Sequence, residues 1–107
     1  MSIPSIRMSE LTPRAGDATV VDVRTSAEWS EAHIPGAVNI PLAQLTSRLS
    51  ELRGRQPIVT YCQSGARSTV AASVLSAAGI AEVSNADGGF EEFARIGAAA
   101  SVPGLGC

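Results

Sequence analysis

An α/β fold with a mainly parallel sheet covered by helices on both faces is predicted for this chain. Two β-branched runs, Thr19-Val20-Val21-Asp22-Val23 and Ile58-Val59-Thr60-Tyr61, read as buried strands. Segments with helical start signals or helical apolar spacing alternate with the strands, which implies right-handed crossovers between parallel strands. Sheets of that kind are buried on both faces.

The elements follow in order. Ile3 to Met8 is expected to form a short first strand, and Ser9 to cap one helical turn through Leu11. Thr12-Pro13-Arg14-Ala15-Gly16-Asp17 then reads as a turn. After the strand Thr19 to Val23, Thr25 followed three residues later by Glu28 is a capping box, which starts a short helix reaching about Ala32. His33-Ile34-Pro35-Gly36 is a turn and Ala37 to Ile40 a short strand. Leu42, Leu45, Leu49 and Leu52 mark the apolar stripe of a further helix, with Pro41 in its first turn. Arg53 to Pro57 leads into the strand Ile58 to Tyr61.

Ser68 to Ala78 carries Val70, Val74, Leu75 and Ala78 at helical spacing, and Gly79 is the expected left-handed cap. Ile80 to Val83 extends again, Asp87-Gly88-Gly89 turns, and Phe90 to Ile96 reads as the last helix. Gly97 to Cys107 is rich in small residues and is expected to be a partly mobile tail of a single domain spanning residues 1–107.

Composition narrows the function. The chain has 107 residues, enough for one core, with 45% hydrophobic and 17% charged residues. Its eight basic residues, all arginine, face ten acidic ones, for a net charge of -2. No basic stripe interleaved with aromatics favours nucleic acid, and no run is apolar and long enough to span a bilayer. The N-terminal segment has no apolar signal core, so the cytoplasm is the expected compartment. Two cysteines, Cys62 and Cys107, suggest neither a disulfide framework nor, with His33 the one histidine, a metal site. No cofactor is expected.

The most informative stretch is Cys62-Gln63-Ser64-Gly65-Ala66-Arg67-Ser68. A buried strand delivers one cysteine to a short polar loop that opens into a helix. Ligands in such folds bind beyond the carboxyl ends of the strands, which is where Cys62 falls. Unpaired amides in the loop and at the helix start make an anion cradle, and a thiolate is an anion. The same field, with the charge of Arg67, is expected to lower the thiol pKa. An inert strand-end cysteine is the competing reading.

Asp22, Arg24 and Glu28 are read as an ion-pair network steadying the strand-to-helix turn rather than as acid–base machinery. His33 is read as a turn histidine bonded to backbone. Trp29 and Phe90 are read as core or pocket-wall aromatics. The pair Gly88-Gly89 is assigned to a backbone turn and given no catalytic role. Cys107 is expected to take no part; accepting sulfur from Cys62 and forming a disulfide are the alternatives.

Over nearly its whole length the chain resembles the single-domain rhodanese, or thiosulfate sulfurtransferase, family. The stretch from Val20-Val21-Asp22-Val23-Arg24 through Glu28-Trp29 to His33-Ile34-Pro35-Gly36-Ala37-Val38-Asn39-Ile40-Pro41 is similar to the family's first signature. Cys62 to Ser68 is similar to its active-site loop, and Gly88-Gly89-Phe90 to its closing motif. Ala32, where glycine is common, and Phe93, where tryptophan is frequent, depart from the pattern.

The resemblance implies a rhodanese-like fold with five strands. It also implies a mechanism in which Cys62 takes a sulfane sulfur from thiosulfate or a persulfide and passes it to cyanide or a thiol. Gln63, Ser64, Gly65, Ala66, Arg67 and Ser68 would surround the transferred sulfur. Arg67 would either attract the anionic donor or anchor the loop on backbone carbonyls. The partners implied are a small sulfur donor and a thiophilic acceptor, with no protein partner named.

Two rivals stand beside this reading. A cysteine-dependent phosphatase or arsenate reductase also sets a thiolate in an amide cradle before an arginine. Four residues separate Cys62 from Arg67 here, whereas those families carry one more and so a wider cradle. The other rival is a non-catalytic binding module of the same fold.

Overall fold

The computed structural model describes residues 3–14 and 18–100. Five strands form one sheet: β1 (Ser5–Arg7), β2 (Thr19–Asp22), β3 (Val38–Asn39), β4 (Ile58–Tyr61) and β5 (Val83–Asp87). Their spatial order is β1-β5-β4-β2-β3 and every pairing is parallel. Four helices accompany them: α1 (Met8–Arg14), α2 (Ser26–Glu31), α3 (Ala66–Ala77) and α4 (Gly89–Ala100).

Side-chain alternation along the strands divides the core into two layers. Val21, Val23, Ile58 and Cys62 pack with Ala71, Ala72 and Leu75 of α3 on one face. Val20, Val59, Tyr61 and Ala86 pack with Met8 and Leu11 of α1 and Phe93 of α4 on the other. β4 is central and buried at all four positions, so its carboxyl end delivers Cys62 to the middle of the sheet's edge.

The capping box forms as expected: the Glu28 amide donates to Thr25 Oγ1 at 3.2 Å and the Thr25 amide to Glu28 Oε1 at 3.0 Å. Gly79, at φ +90°, closes α3 with Ile80 N–H donating to Leu75 O at 3.1 Å, the six-to-one bond of a left-handed cap.

Several boundaries differ from the expected ones. α1 starts at Met8, where the Glu10 carboxylate accepts from the Arg7 amide at 2.8 Å, and runs to Arg14, beyond the single turn expected from Ser9. The rest of the expected turn, residues 15–17, lies outside the described residues. The leucine stripe of residues 42–52 does not make an α-helix. It forms two 3₁₀ stretches, Leu42–Gln44 and Thr46–Glu51, broken at Arg48 with φ -122°. Leu45 and Leu52 are buried all the same, since i, i+3 and i, i+4 spacings serve a tighter helix nearly as well.

α3 begins at Ala66, not Ser68, and the face it buries is Ser68, Ala71, Ala72 and Leu75. Val70, expected on that face, is 51% exposed. Small residues let the helix lie close to the sheet. The last strand is Val83–Asp87 rather than Ile80 to Val83, because Ser84 and Asn85 are polar yet sit inside the β1-β5-β4 ladder. α4 runs from Gly89 through Ala100, so it takes in the first part of the expected mobile tail; residues 101–107, Cys107 among them, lie outside the described residues.

Candidate active site

The site is assembled at the carboxyl ends of β2, β4 and β5. Its centre is Cys62, the first residue after β4, which is 1% exposed. Burial among apolar neighbours alone would push the thiol pKa up. Here the balance is reversed by the Ser68 hydroxyl when it donates to the sulfur and by the backbone N–H groups of Ser68, Gly65 and Ser64, which favour the thiolate and bring the pKa below its ordinary 9.0. The Gly65 amide lies 3.1 Å from Sγ, and Ser68 Oγ lies 3.5 Å from it. Gly65 turns the chain at φ +122°, a value side chains avoid, which aims its amide back at the sulfur.

The carbonyls of the loop point the other way. Cys62 O accepts from the Phe90 amide at 2.7 Å and Gln63 O from the Glu91 amide at 3.0 Å, so the first turn of α4 holds the outside of the cradle. That contact explains Gly89. A Cβ there would lie 2.3 Å from Cys62 O and 2.8 Å from the Gln63 carbonyl. The turn reading of Gly88-Gly89 is therefore incomplete: both have positive φ, and Gly89 is also needed for close approach to the cysteine loop.

Beside the loop, Asp22 and Arg24 form a buried pair, with Arg24 Nη2 2.7 Å from Asp22 Oδ2. The Arg24 guanidinium also donates to Gln63 Oε1 at 3.2 Å and to Ala32 O at 2.7 Å, and stands 4.5 Å from the Phe90 ring centroid. Tyr61 OH donates to Asp22 Oδ2 at 2.7 Å and accepts from the Ile34 amide at 3.1 Å. Burial, then the Asp22 carboxylate, pushes the phenol above its ordinary range and keeps it protonated. The network reading of Asp22 and Arg24 agrees with this geometry.

Glu28 belongs to a second pair. Arg67 Nη1 and Nη2 meet Glu28 Oε1 and Oε2 at 2.8 and 3.0 Å. The Arg67 hydrogen bond holds the Glu28 carboxyl at about 2, well below its usual 4.5. Arg67 thus engages a carboxylate, a partner named by neither expectation for it, while its charge still acts on Cys62. Arg24, Glu28, Glu31, Ala32, Gln63 and Phe90 line a cleft of about 320 Å³. Val23, Thr25, Pro41, Leu42, Ala43 and Arg67 line a separate apolar groove.

His33 accords with its turn reading: Nδ1 is 2.9 Å from Trp29 O, and its ring stacks on Trp29 at 3.5 Å. Of the expected cradle residues, Gly65 and Ser68 are hydrogen-bonded to the sulfur, and the Ser64 N–H helps to lower its pKa. Ala66 is exposed at the start of α3, and Gln63 faces Arg24. Sequence reasoning missed Asn85, whose Oδ1 accepts from Ser68 Oγ at 2.5 Å. Its signal was an amide side chain in a run with strand-like neighbours. Among the described residues, no group of three or more His, Cys, Asp or Glu could hold a metal ion, and no helix is long and apolar enough to cross a membrane.

The family model for the rhodanese-like domain matches residues 8–96, a span that contains the whole of this site. The chain belongs to the rhodanese-like domain family. It is 37% identical over 95 residues to a protein named sulfurtransferase from Allochromatium vinosum, covering 89% of each chain. It is 43% identical over 97 residues to the HTH-type transcriptional regulator Rv0324 of Mycobacterium tuberculosis, covering 87% of this chain but only 42% of that protein. The human single-domain sulfurtransferase TSTD1 superposes with a TM-score of 0.76 at 27% identity, over 88% of this chain and 97% of that one. The rhodanese-like fold with five parallel strands, expected from the resemblance, is the fold observed.

Proposed function

We propose that this rhodanese domain is a sulfurtransferase that carries a sulfane sulfur on Cys62. The observation that carries the reading is a buried cysteine sulfur that takes the Gly65 amide at 3.1 Å, stands 3.5 Å from the Ser68 hydroxyl, and has its thiolate favoured by the N–H groups of Ser64 and Ser68. Such a site holds negative charge on sulfur in either of two states, the thiolate or the outer sulfur of a persulfide.

The Cys62 thiolate attacks the outer sulfur of thiosulfate or of a small persulfide. A new S–S bond forms, the donor's S–S bond breaks, and sulfite or a thiolate leaves with the electron pair. Cyanide or a thiol then attacks the outer sulfur of the Cys62 persulfide, and the Cys62 thiolate departs as leaving group. Both steps move charge between sulfurs within the same ring of amides. Ser64, Gly65 and Ser68 stabilise it directly, Arg67 adds its field, and Gln63 lines the cleft by which donor and acceptor approach.

The pairing of Arg67 with Glu28 favours sulfur transfer over phosphate or arsenate chemistry. An arginine that clamps a tetrahedral oxyanion needs its forked donors free, and both Nη atoms here meet a carboxylate. The names of the Allochromatium vinosum and human relatives support the same reading. The test is thiocyanate formation from thiosulfate and cyanide, run beside hydrolysis of an aryl phosphate. Cys62-dependent thiocyanate is expected. Aryl phosphate hydrolysis without thiocyanate would replace this reading with the phosphatase one, and neither activity would favour the binding module.

A further inference from the structure

Beneath the cysteine loop lies a line of polar side chains that runs from the sulfur into the sheet. Cys62 Sγ is 3.5 Å from Ser68 Oγ, Ser68 Oγ is 2.5 Å from Asn85 Oδ1, and Asn85 Nδ2 is 3.4 Å from Asp87 Oδ1. Ser68 is fully buried and Asn85 is 4% exposed, so bulk water does not compete for these groups. Asn85 is also fixed through its backbone, in register with Ser5 of β1 and Thr60 of β4, and its amide donates to Pro4 O at 2.9 Å. The Thr60 hydroxyl, in turn, holds Ser68 O at 3.0 Å.

Ser68 has one hydroxyl proton. Three acceptors surround it: Asn85 Oδ1, Gly65 O at 3.2 Å, and the sulfur once Cys62 is ionised. The Asp87 carboxylate accepts from Nδ2 and so turns Oδ1 of Asn85 toward Ser68. With its proton on the shortest of these contacts, Ser68 presents a lone pair to Cys62. It then accepts the thiol S–H and opposes its loss. Only when the hydroxyl turns away from Asn85 does it donate to the thiolate.

We propose that Asn85 is a positioning residue that restrains Cys62 by competing with its thiolate for the single proton of Ser68. The inference rests on the sulfurtransferase reading for its purpose, though not for its test. The charged groups around the loop are Asp22 and Arg24 at the end of β2, Glu28 and Glu31 on α2, Arg67 on α3, Asp87 on β5, Arg7 in register beside Asp87 on β1, and Glu91 and Glu92 on α4. Asp22 with Arg24, and Glu28 with Arg67, are internally paired. None of these groups touches Ser68 Oγ, which leaves Asn85 as the side chain that competes for its proton.

The experiment follows thiolate ultraviolet absorbance against pH in the full chain carrying Cys107→Ser, where Cys62 is the one remaining thiol. Asn85→Leu removes the acceptor at nearly constant volume and is expected to raise the thiolate fraction about threefold at a pH below the starting midpoint, the worth of one redirected hydrogen bond. Asn85→Asp, a charged acceptor with no donor, is expected to move the midpoint upward. Ser68→Ala is expected to abolish the effect of Asn85→Leu, which a merely structural role of Asn85 would not do.

An Asn85→Leu midpoint at or above the starting value in a cooperatively melting protein would overturn the proposal, as would a shift that survives in Ser68→Ala. Should Asn85→Leu not fold, Asn85→Asp is titrated with Ser68 present and in Ser68→Ala, and an upward shift of the same size in both, the mark of added charge alone, rejects the idea. The titration reads ionisation alone, so absent thiocyanate formation would count against the proposed function and leave this result standing.

Discussion

Replacing Gly89 by alanine tests whether the first turn of α4 holds the cysteine loop in working position. The new Cβ would lie 2.3 Å from Cys62 O and 2.8 Å from both C and O of Gln63. Ordinary contact therefore requires a displacement of about 1 Å, and the atoms that must yield are the backbone of Cys62 and Gln63. The residue also sits at φ +59°, which costs an alanine about 1–2 kcal/mol. The displacement weakens two bonds, Phe90 N–H to Cys62 O at 2.7 Å and Glu91 N–H to Gln63 O at 3.0 Å, each worth about 1 kcal/mol net.

The sum is about 3 kcal/mol, or a fall in Tm on the order of 10–20 °C for a chain of this size. A misplacement of about 1 Å in the cradle costs about 10²-fold in turnover. Gly79→Ala is the control. It has the same kind of backbone strain, at φ +90°, with nothing within 4 Å of the added Cβ and no contact with the loop. Thermal melts and kcat/KM for thiosulfate are measured for both. Gly79→Ala is expected to lose about 1 kcal/mol of stability and keep its turnover. If Gly89→Ala matches Gly79→Ala in both measurements, α4 does not position the loop.

Arg24→Met leaves the Asp22 carboxylate, fully buried, with Tyr61 and the residue-24 amide but no cation, and a loss of about 3–5 kcal/mol is expected in denaturant unfolding. Glu28→Gln breaks a pair whose side chains are about a third exposed, so stability is expected to change by no more than about 1 kcal/mol. The same substitution releases the Arg67 guanidinium beside the cleft, and the KM for dianionic thiosulfate is expected to fall while kcat changes little. The folded pKa of Glu28 is depressed from 4.5 to about 2, so the pair's contribution is complete above pH 4.5 and is lost as pH falls toward 2. In acid titration of stability, Glu28→Gln is therefore expected to approach the unsubstituted protein as pH falls through that window.

Much of this molecule was legible in the residues themselves. The two β-branched runs became β2 and β4 because each must fill both core layers, and the Thr25–Glu28 box became a helix start because its two hydrogen bonds need only local chain. The cysteine loop was legible for the same reason: its amides, Gly65 turn and following helix lie within seven residues. What escaped was non-local. Residues 42–52 carry leucines that fit either an α or a 3₁₀ helix, and spacing does not choose between them. Ser84 and Asn85 look like loop residues until β1 and β4 supply their backbone partners. The Arg67–Glu28 pair joins residues 39 apart in sequence, and the Gly89 contact with Cys62 joins residues 27 apart. No local pattern marks either.

The central claim is that the amide-ringed sulfur of Cys62 accepts and holds a transferable sulfur atom. Intact-protein mass spectrometry after thiosulfate treatment tests it most directly, comparing the unsubstituted chain with Cys62→Ser and Cys107→Ser. A gain of one sulfur atom, removed by cyanide or a reductant, is expected in the unsubstituted and Cys107→Ser chains and none in Cys62→Ser. A sulfur adduct that persists in Cys62→Ser and vanishes in Cys107→Ser would contradict it.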